Sequence, residues 1–173
     1  AGCGMGCIFC ATGQMGFSRQ LTATEIYDQV AKFHYQLQWN TKHKNTHNTS
    51  SKNNHNNSSI PDTQSDSYVD SDSEPTGRLS NIVFMGMGEP FANYNSVVES
   101  IRMIKQNLNI GLRHITVSTV GIPPRIRKLA DEIDFQVNLA ISLHHATDTK
   151  RSKLMPVNVR YPIHELMNAC VYY

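Results

Sequence analysis

Three cysteines within eight residues, Cys3-Gly4-Met5-Gly6-Cys7-Ile8-Phe9-Cys10, constrain this chain more than any other stretch. Their spacing is Cys-x3-Cys-x2-Cys. Thiolates that close can wrap one face of an iron–sulfur cubane, and glycines at positions 2, 4 and 6 let the backbone turn tightly enough. A [4Fe-4S] cluster normally takes four cysteines, so three leave one iron open, as a catalytic metal needs. A disulfide framework is disfavoured, because three loop neighbours and the distant Cys170 make a poor set of pairs. Zinc stays open on spacing alone, although no second ligand pair follows at zinc-finger distance.

The chain has 173 residues and no initial Met, and it starts in what reads as a loop. We read it as a piece of a longer protein. It is long enough for one domain core. No apolar run approaches a membrane span, so no membrane partner is expected. Clustered cysteines suit a reducing compartment better than a secreted scaffold. The net charge of +2 is unevenly spread. Residues 40–77 hold three of the 16 Lys and Arg and five of the 14 Asp and Glu, which leaves the remainder at +4. That balance admits an RNA partner without demanding one.

Periodicity organises the rest. Thr22-Ala23-Thr24-Glu25 reads as a capping box. Ile26, Val30, Phe33 and Leu37 follow as one stripe that predicts a core-facing helix to about Trp39, with His34 beside the stripe as a partly buried structural histidine. In residues 40–77, Asn, Ser and Thr supply 20 of 38 positions, too polar to offset the entropy of ordering, so a disordered insertion is expected. Its histidines, His43, His47 and His55, read as part of a solvated low-complexity tract. Strands are predicted at 81–85, 114–119 and 137–143. Helices are predicted after Asn95 with the stripe Val97, Ile101, Ile104 and Leu108 and a stop at Gly111, from Pro123 with Ile126, Leu129, Ala130 and Ile133, and from Pro162 with Ile163, Leu166, Met167 and Cys170. Cys170 thus reads as a buried, inert thiol. Strand–helix alternation implies an α/β fold of parallel strands with right-handed crossovers. The core is expected at 1–39 and 78–173, with one further strand before Cys3. The cysteine loop and residues 86–90, 118–121 and 142–145 then share the C-terminal edge of the sheet, where ligands bind in such folds.

At these residues the chain resembles the radical S-adenosylmethionine (SAM) enzymes of the RlmN/Cfr type, which methylate rRNA adenines. The likeness rests on the cysteine motif running on into Ala11-Thr12-Gly13-Gln14-Met15-Gly16-Phe17, then Gly86-Met87-Gly88-Glu89-Pro90, Ser118-Thr119-Val120-Gly121, Ser142-Leu143-His144 and Leu154-Met155-Pro156-Val157-Asn158. It covers nearly everything outside 40–77. It implies a partial (β/α) barrel of the radical SAM type. It implies that Cys3, Cys7 and Cys10 hold a [4Fe-4S] cluster whose fourth iron is chelated by S-adenosyl-L-methionine, with reductive cleavage to a 5′-deoxyadenosyl radical. Gly88 and Glu89 would hold the methionine end, and Ser118, Ser142, Leu143 and His144 the rest of the cofactor. The implied reaction is methylation of C2 of an adenine in 23S rRNA, and in many members of a tRNA, with an electron donor such as flavodoxin or ferredoxin. In that family the methyl-carrying cysteine lies near the C-terminus, and Cys170 matches no required position. The rival readings are C8 methylation, another radical SAM enzyme, and a metal-stabilised RNA-binding module without catalysis. A cytoplasmic location is expected, with plastid and mitochondrion as alternatives.

Overall fold

The computed structural model describes residues 2–47, 77–132 and 136–173. The insertion expected at 40–77 falls largely outside these residues. The chain divides into two compact units, Ala1–Ala31 with Ser80–Tyr173, and Lys32–Leu79. Among the described residues, all strands lie in the first.

Its sheet has three parallel strands in the order β1 (Ile82–Phe84), β2 (Ile115–Thr119) and β3 (Asn138–Ile141). Ile82 pairs with Ile115, and Thr116 with Asn138. The crossovers are α3 (Tyr94–Leu108) and α4 (Pro123–Asp131). On central β2, Ile115, Val117 and Thr119 point into the core, while Thr116 and Ser118 are half-buried. Ile101 and Ile104 of α3, Ile126 and Leu129 of α4, and Leu166 of the last helix complete this core. Each such side chain contributes about 1.5–3 kcal/mol when fully buried. The last helix, α7 (Ile163–Tyr172), packs on α4. Gly121 permits that contact, because a Cβ there would lie 2.8 Å from Leu166 at a φ of +94°.

Several boundaries differ from the sequence expectation. The helix before β2 is capped by Asn93 and Asn109, not by Asn95 and Gly111. A 3-10 turn over Pro90–Asn93 already starts the spiral, and Asn109 takes the left-handed φ of 52° that the earlier stop needs. The expected loop after Cys10 holds one helical turn, α1 (Ala11–Gln14), and α5 (Asp148–Leu154) and α6 (Val157–Arg160) add two short helices. Ile133 lies outside the described residues. On α7 the buried pair is Leu166 and Ala169, so Cys170 beside it is only half-buried and Met167 is exposed.

Helix α2 (Ala23–His47) begins with the predicted box: Glu25 N donates to Thr22 Oγ1 at 3.2 Å, and Thr22 N to Glu25 Oε2 at 2.9 Å. The helix outlasts its predicted end at Trp39, since neither Gly nor Pro interrupts it before His47. Its apolar stripe does not stay buried. Phe33 is 63% exposed, whereas Ala31, on the opposite side of the helix, and His34, about a quarter-turn round, are buried. A stripe reports which residues are apolar and not which surface they meet. Arg19 grips Glu25 at 2.7 and 2.8 Å, and with the Thr22 backbone bond it holds that surface carboxylate down to about 2. The contribution is therefore present above the ordinary glutamate value of 4.5 and is lost as pH falls toward 2. Thr22→Ala should lower stability by about 1 kcal/mol in urea denaturation at neutral pH.

Candidate functional site

The cysteine loop is tied to itself first. Gly2 and Phe17 form an antiparallel bridge, and Cys3 N donates to Gly16 O at 3.1 Å. Gly2 has φ +96°, and a Cβ there would stand 2.2 Å from Gly16 O, so only glycine closes the loop. Inside it, Cys10 N donates to Cys7 O at 3.2 Å and Gln14 Nε2 to Ile8 O at 3.2 Å. The loop is also tied to the fold, through Ile8 N and Leu154 O at 3.1 Å. Gly88, at φ +105°, brings residues 86–90 against it, since a Cβ there would lie 3.1 Å from Gly2 O.

All three cysteines, none in a disulfide, line one cavity of about 360 Å3 at the C-terminal ends of the strands. Gly88, Glu89, Ser118, Ser142 and His144 line the same cavity. Leu143 does not; its carbonyl instead accepts from Arg151 Nε at 3.1 Å. His144 holds a positive φ of 58° and packs its ring 4.2 Å from that of Phe9. A second cavity of about 320 Å3 lies along β1, bordered by Leu21, Ile26, Ile82 and Val97, and its lining contains neither Cys nor His.

Glu89 is not a surface carboxylate. It is 7% exposed and accepts three hydrogen bonds. Phe91 N and Thr119 Oγ1 donate to Oε1 at 3.0 and 2.6 Å, and Val120 N donates to Oε2 at 2.8 Å. It thereby caps the 3-10 turn and staples the loop after β1 to the loop after β2. Burial pushes its pKa up, and the three donors pull it down. Burial also pushes the Cys7 thiol up, helped by Cys3, Cys10 and Glu89, with Arg151 opposing. A bound metal reverses that preference, because a coordinated thiol loses its proton. Among the described residues, no three His, Cys, Asp or Glu side chains gather round one point as a single ion requires. A cubane places its thiolates on separate irons, so three thiols on one cavity fit it better than they fit tetrahedral zinc.

Sequence reasoning missed Arg151, and gave Asn158, although part of a quoted motif, no role. Arg151 has no solvent exposure and binds Leu143 O, Val120 O at 2.5 Å and Asn158 Oδ1 at 2.5 Å. Asn158 Nδ2 donates to Asp148 Oδ1 at 2.9 Å and to Ser152 Oγ at 2.8 Å. In Asp148-Thr149-Lys150-Arg151-Ser152-Lys153 an arginine reads as one more solvated charge, so no local signal marks it.

No protein-family model matches the chain. Curated proteins do. The probable dual-specificity RNA methyltransferase RlmN of Corynebacterium glutamicum is 44% identical over 177 aligned positions, 100% of this chain and 38% of that protein. Those of Chloroflexus aurantiacus and Dictyoglomus thermophilum are 43% and 40% identical, over 98% and 99% of this chain. The chain spans about two fifths of the length of these relatives. The crystal structure of a radical SAM methyltransferase from Sphaerobacter thermophilus superposes with a TM-score of 0.74 at 40% identity, over 98% of this chain and 40% of that one.

Proposed function

Because the chain is a homologue, over its whole length, of the RlmN type of radical SAM methyltransferase, we propose that it forms the cluster- and cofactor-holding part of an RNA adenine methyltransferase. The observation that carries this reading is the single cavity shared by Cys3, Cys7, Cys10, Gly88, Glu89, Ser118, Ser142 and His144. Cys3, Cys7 and Cys10 would hold the [4Fe-4S] cluster. With S-adenosyl-L-methionine bound, the cluster supplies one-electron chemistry that no side chain offers. The chain's own part is placement. The Gly88 backbone lets the cofactor's methionine end approach, and Glu89 has acceptor capacity left for an ammonium group beyond its three donors. The Ser118 and Ser142 hydroxyls and the His144 ring would position the remainder. Leu143 supports the site through its carbonyl.

The substrates in this proposal are C2 of an adenine in 23S rRNA and in a tRNA, in keeping with the dual specificity in the relatives' name. A flavodoxin or ferredoxin would deliver the electron. The three strands would be one arc of a (β/α) barrel, with a further strand before Cys3. No helix among the described residues is long and apolar enough to cross a membrane. A cytoplasmic site of action is proposed.

Anaerobic reconstitution of the full-length protein tests the reading. About four irons with matching acid-labile sulfide are expected. Cys3→Ala, Cys7→Ala and Cys10→Ala should each lose most of the iron, and Cys170→Ala none. One zinc without sulfide, or iron lost with Cys170 alone, would sink it.

A further inference from the structure

We propose that the buried guanidinium of Arg151 is the counter-charge of the three-cysteine centre, and that it makes the centre easier to reduce. The inference rests on the function proposed above. Arg151 is wholly buried, yet its three hydrogen bonds go to neutral acceptors, Leu143 O, Asn158 Oδ1 and Val120 O. Among the described residues its guanidinium forms no ion pair. Two acids act on it through space, Asp148 first and Cys7 second, but Asp148 is exposed at the start of α5 and spends its Oδ1 on Asn158 Nδ2 and Ile163 N. A buried charge that is only partly compensated is costly, so a guanidinium in this position favours further negative charge beside it.

The cysteine site is where that charge lies. Val120, whose carbonyl Arg151 holds, lines the cavity with Cys7, and so does Met155, whose N donates to Arg151 O at 2.8 Å. Leu154, the last residue of α5, accepts from the N–H of Ile8, the neighbour of Cys7. Arg151 is thus bonded to two residues of the cavity lining, and its charge reaches Cys7, the most buried of the three cysteines. Three thiolates on a [4Fe-4S] core carry a net negative charge, and one-electron reduction adds another unit. A fixed cation in a low-dielectric wall stabilises the reduced form more than the oxidised one. Arg151 is a positioning residue here; its side chain does not line the cavity.

Full-length protein reconstituted anaerobically, titrated reductively and followed by electron paramagnetic resonance, decides the matter. Arg151→Gln should leave the cluster at least about tenfold less reduced at a fixed potential, a fall of 59 mV for a one-electron couple. Arg151→Lys keeps the charge and should stay near the parent value. A purely structural tie would instead lower the stability of both variants and leave the potential unmoved. Should Arg151→Gln not hold a cluster, the double exchange Asp148→Asn/Asn158→Asp moves one carboxylate onto the guanidinium at unchanged net charge. It should lower the potential in the same direction, and an unmoved potential there also overturns the proposal. A parent protein that takes up no iron and sulfide overturns the proposed function; a loaded protein with an unmoved potential overturns only the role of Arg151.

Discussion

Gly2→Ala is expected to strip most of the iron from the reconstituted protein while leaving the sheet folded. The added Cβ would sit 2.2 Å from Gly16 O and 3.0 Å from Phe17 Cα, both backbone atoms that no rotamer change can move. The φ of +96° adds strain of about 1–3 kcal/mol for a residue with a side chain. The loop can relieve both only by opening the Gly2–Phe17 bridge and the bond from Cys3 N to Gly16 O. Cys3 then leaves the cavity it shares with Cys7 and Cys10. Iron and sulfide per chain report that loss, and the thermal midpoint of the cluster-free protein should move little, because Gly2 makes no part of the core around Ile101, Ile115 and Leu166. Full iron content in Gly2→Ala would show that the loop tolerates an alternative closure.

Glu89→Gln should act in two ways at once. The amide keeps one acceptor oxygen but presents an NH2 group where three donors converge, from Phe91, Thr119 and Val120. Losing a hydrogen bond to a buried charge costs about 1.5–3 kcal/mol, so the denaturation midpoint of the cluster-free protein should drop by at least that much in free energy. S-adenosyl-L-methionine binding should weaken about tenfold or more, through the lost ammonium partner and the loosened loop after β2. Iron content should stay unchanged, because Glu89 holds no iron in this arrangement. Calorimetric titration of the loaded variant and urea denaturation of the unloaded one separate the two effects. Unchanged affinity with lowered stability would leave Glu89 as a staple between two loops and remove it from the cofactor site.

Local sequence determined whatever depends on residues close in the chain. The Cys-x3-Cys-x2-Cys spacing, the Thr22–Glu25 box and the stripe Val97, Ile101, Ile104 and Leu108 are such features: the box closes, the stripe is buried, and the three cysteines line one cavity. The alternation of strands and helices likewise dictated a parallel sheet, since a crossover helix cannot join adjacent antiparallel strands as a hairpin does. The motifs at 86–90, 118–121 and 142–145 were legible as strand ends, and the sheet brings them to one edge.

Tertiary structure alone decided the rest. Phe33 belongs to the predicted apolar stripe yet is exposed, because periodicity shows which residues are apolar and not what they pack against. The family likeness gives Glu89 a place at the cofactor, but only the approach of Thr119 and Val120, some thirty positions on, makes it a buried acceptor of three bonds. Leu143 sits within a motif yet turns its carbonyl to Arg151 and stays out of the cavity lining. Arg151 itself is the clearest case. Its burial depends on Val120, Leu143 and Asn158 arriving from three separate segments, and a charge is affordable in a core only where such partners converge.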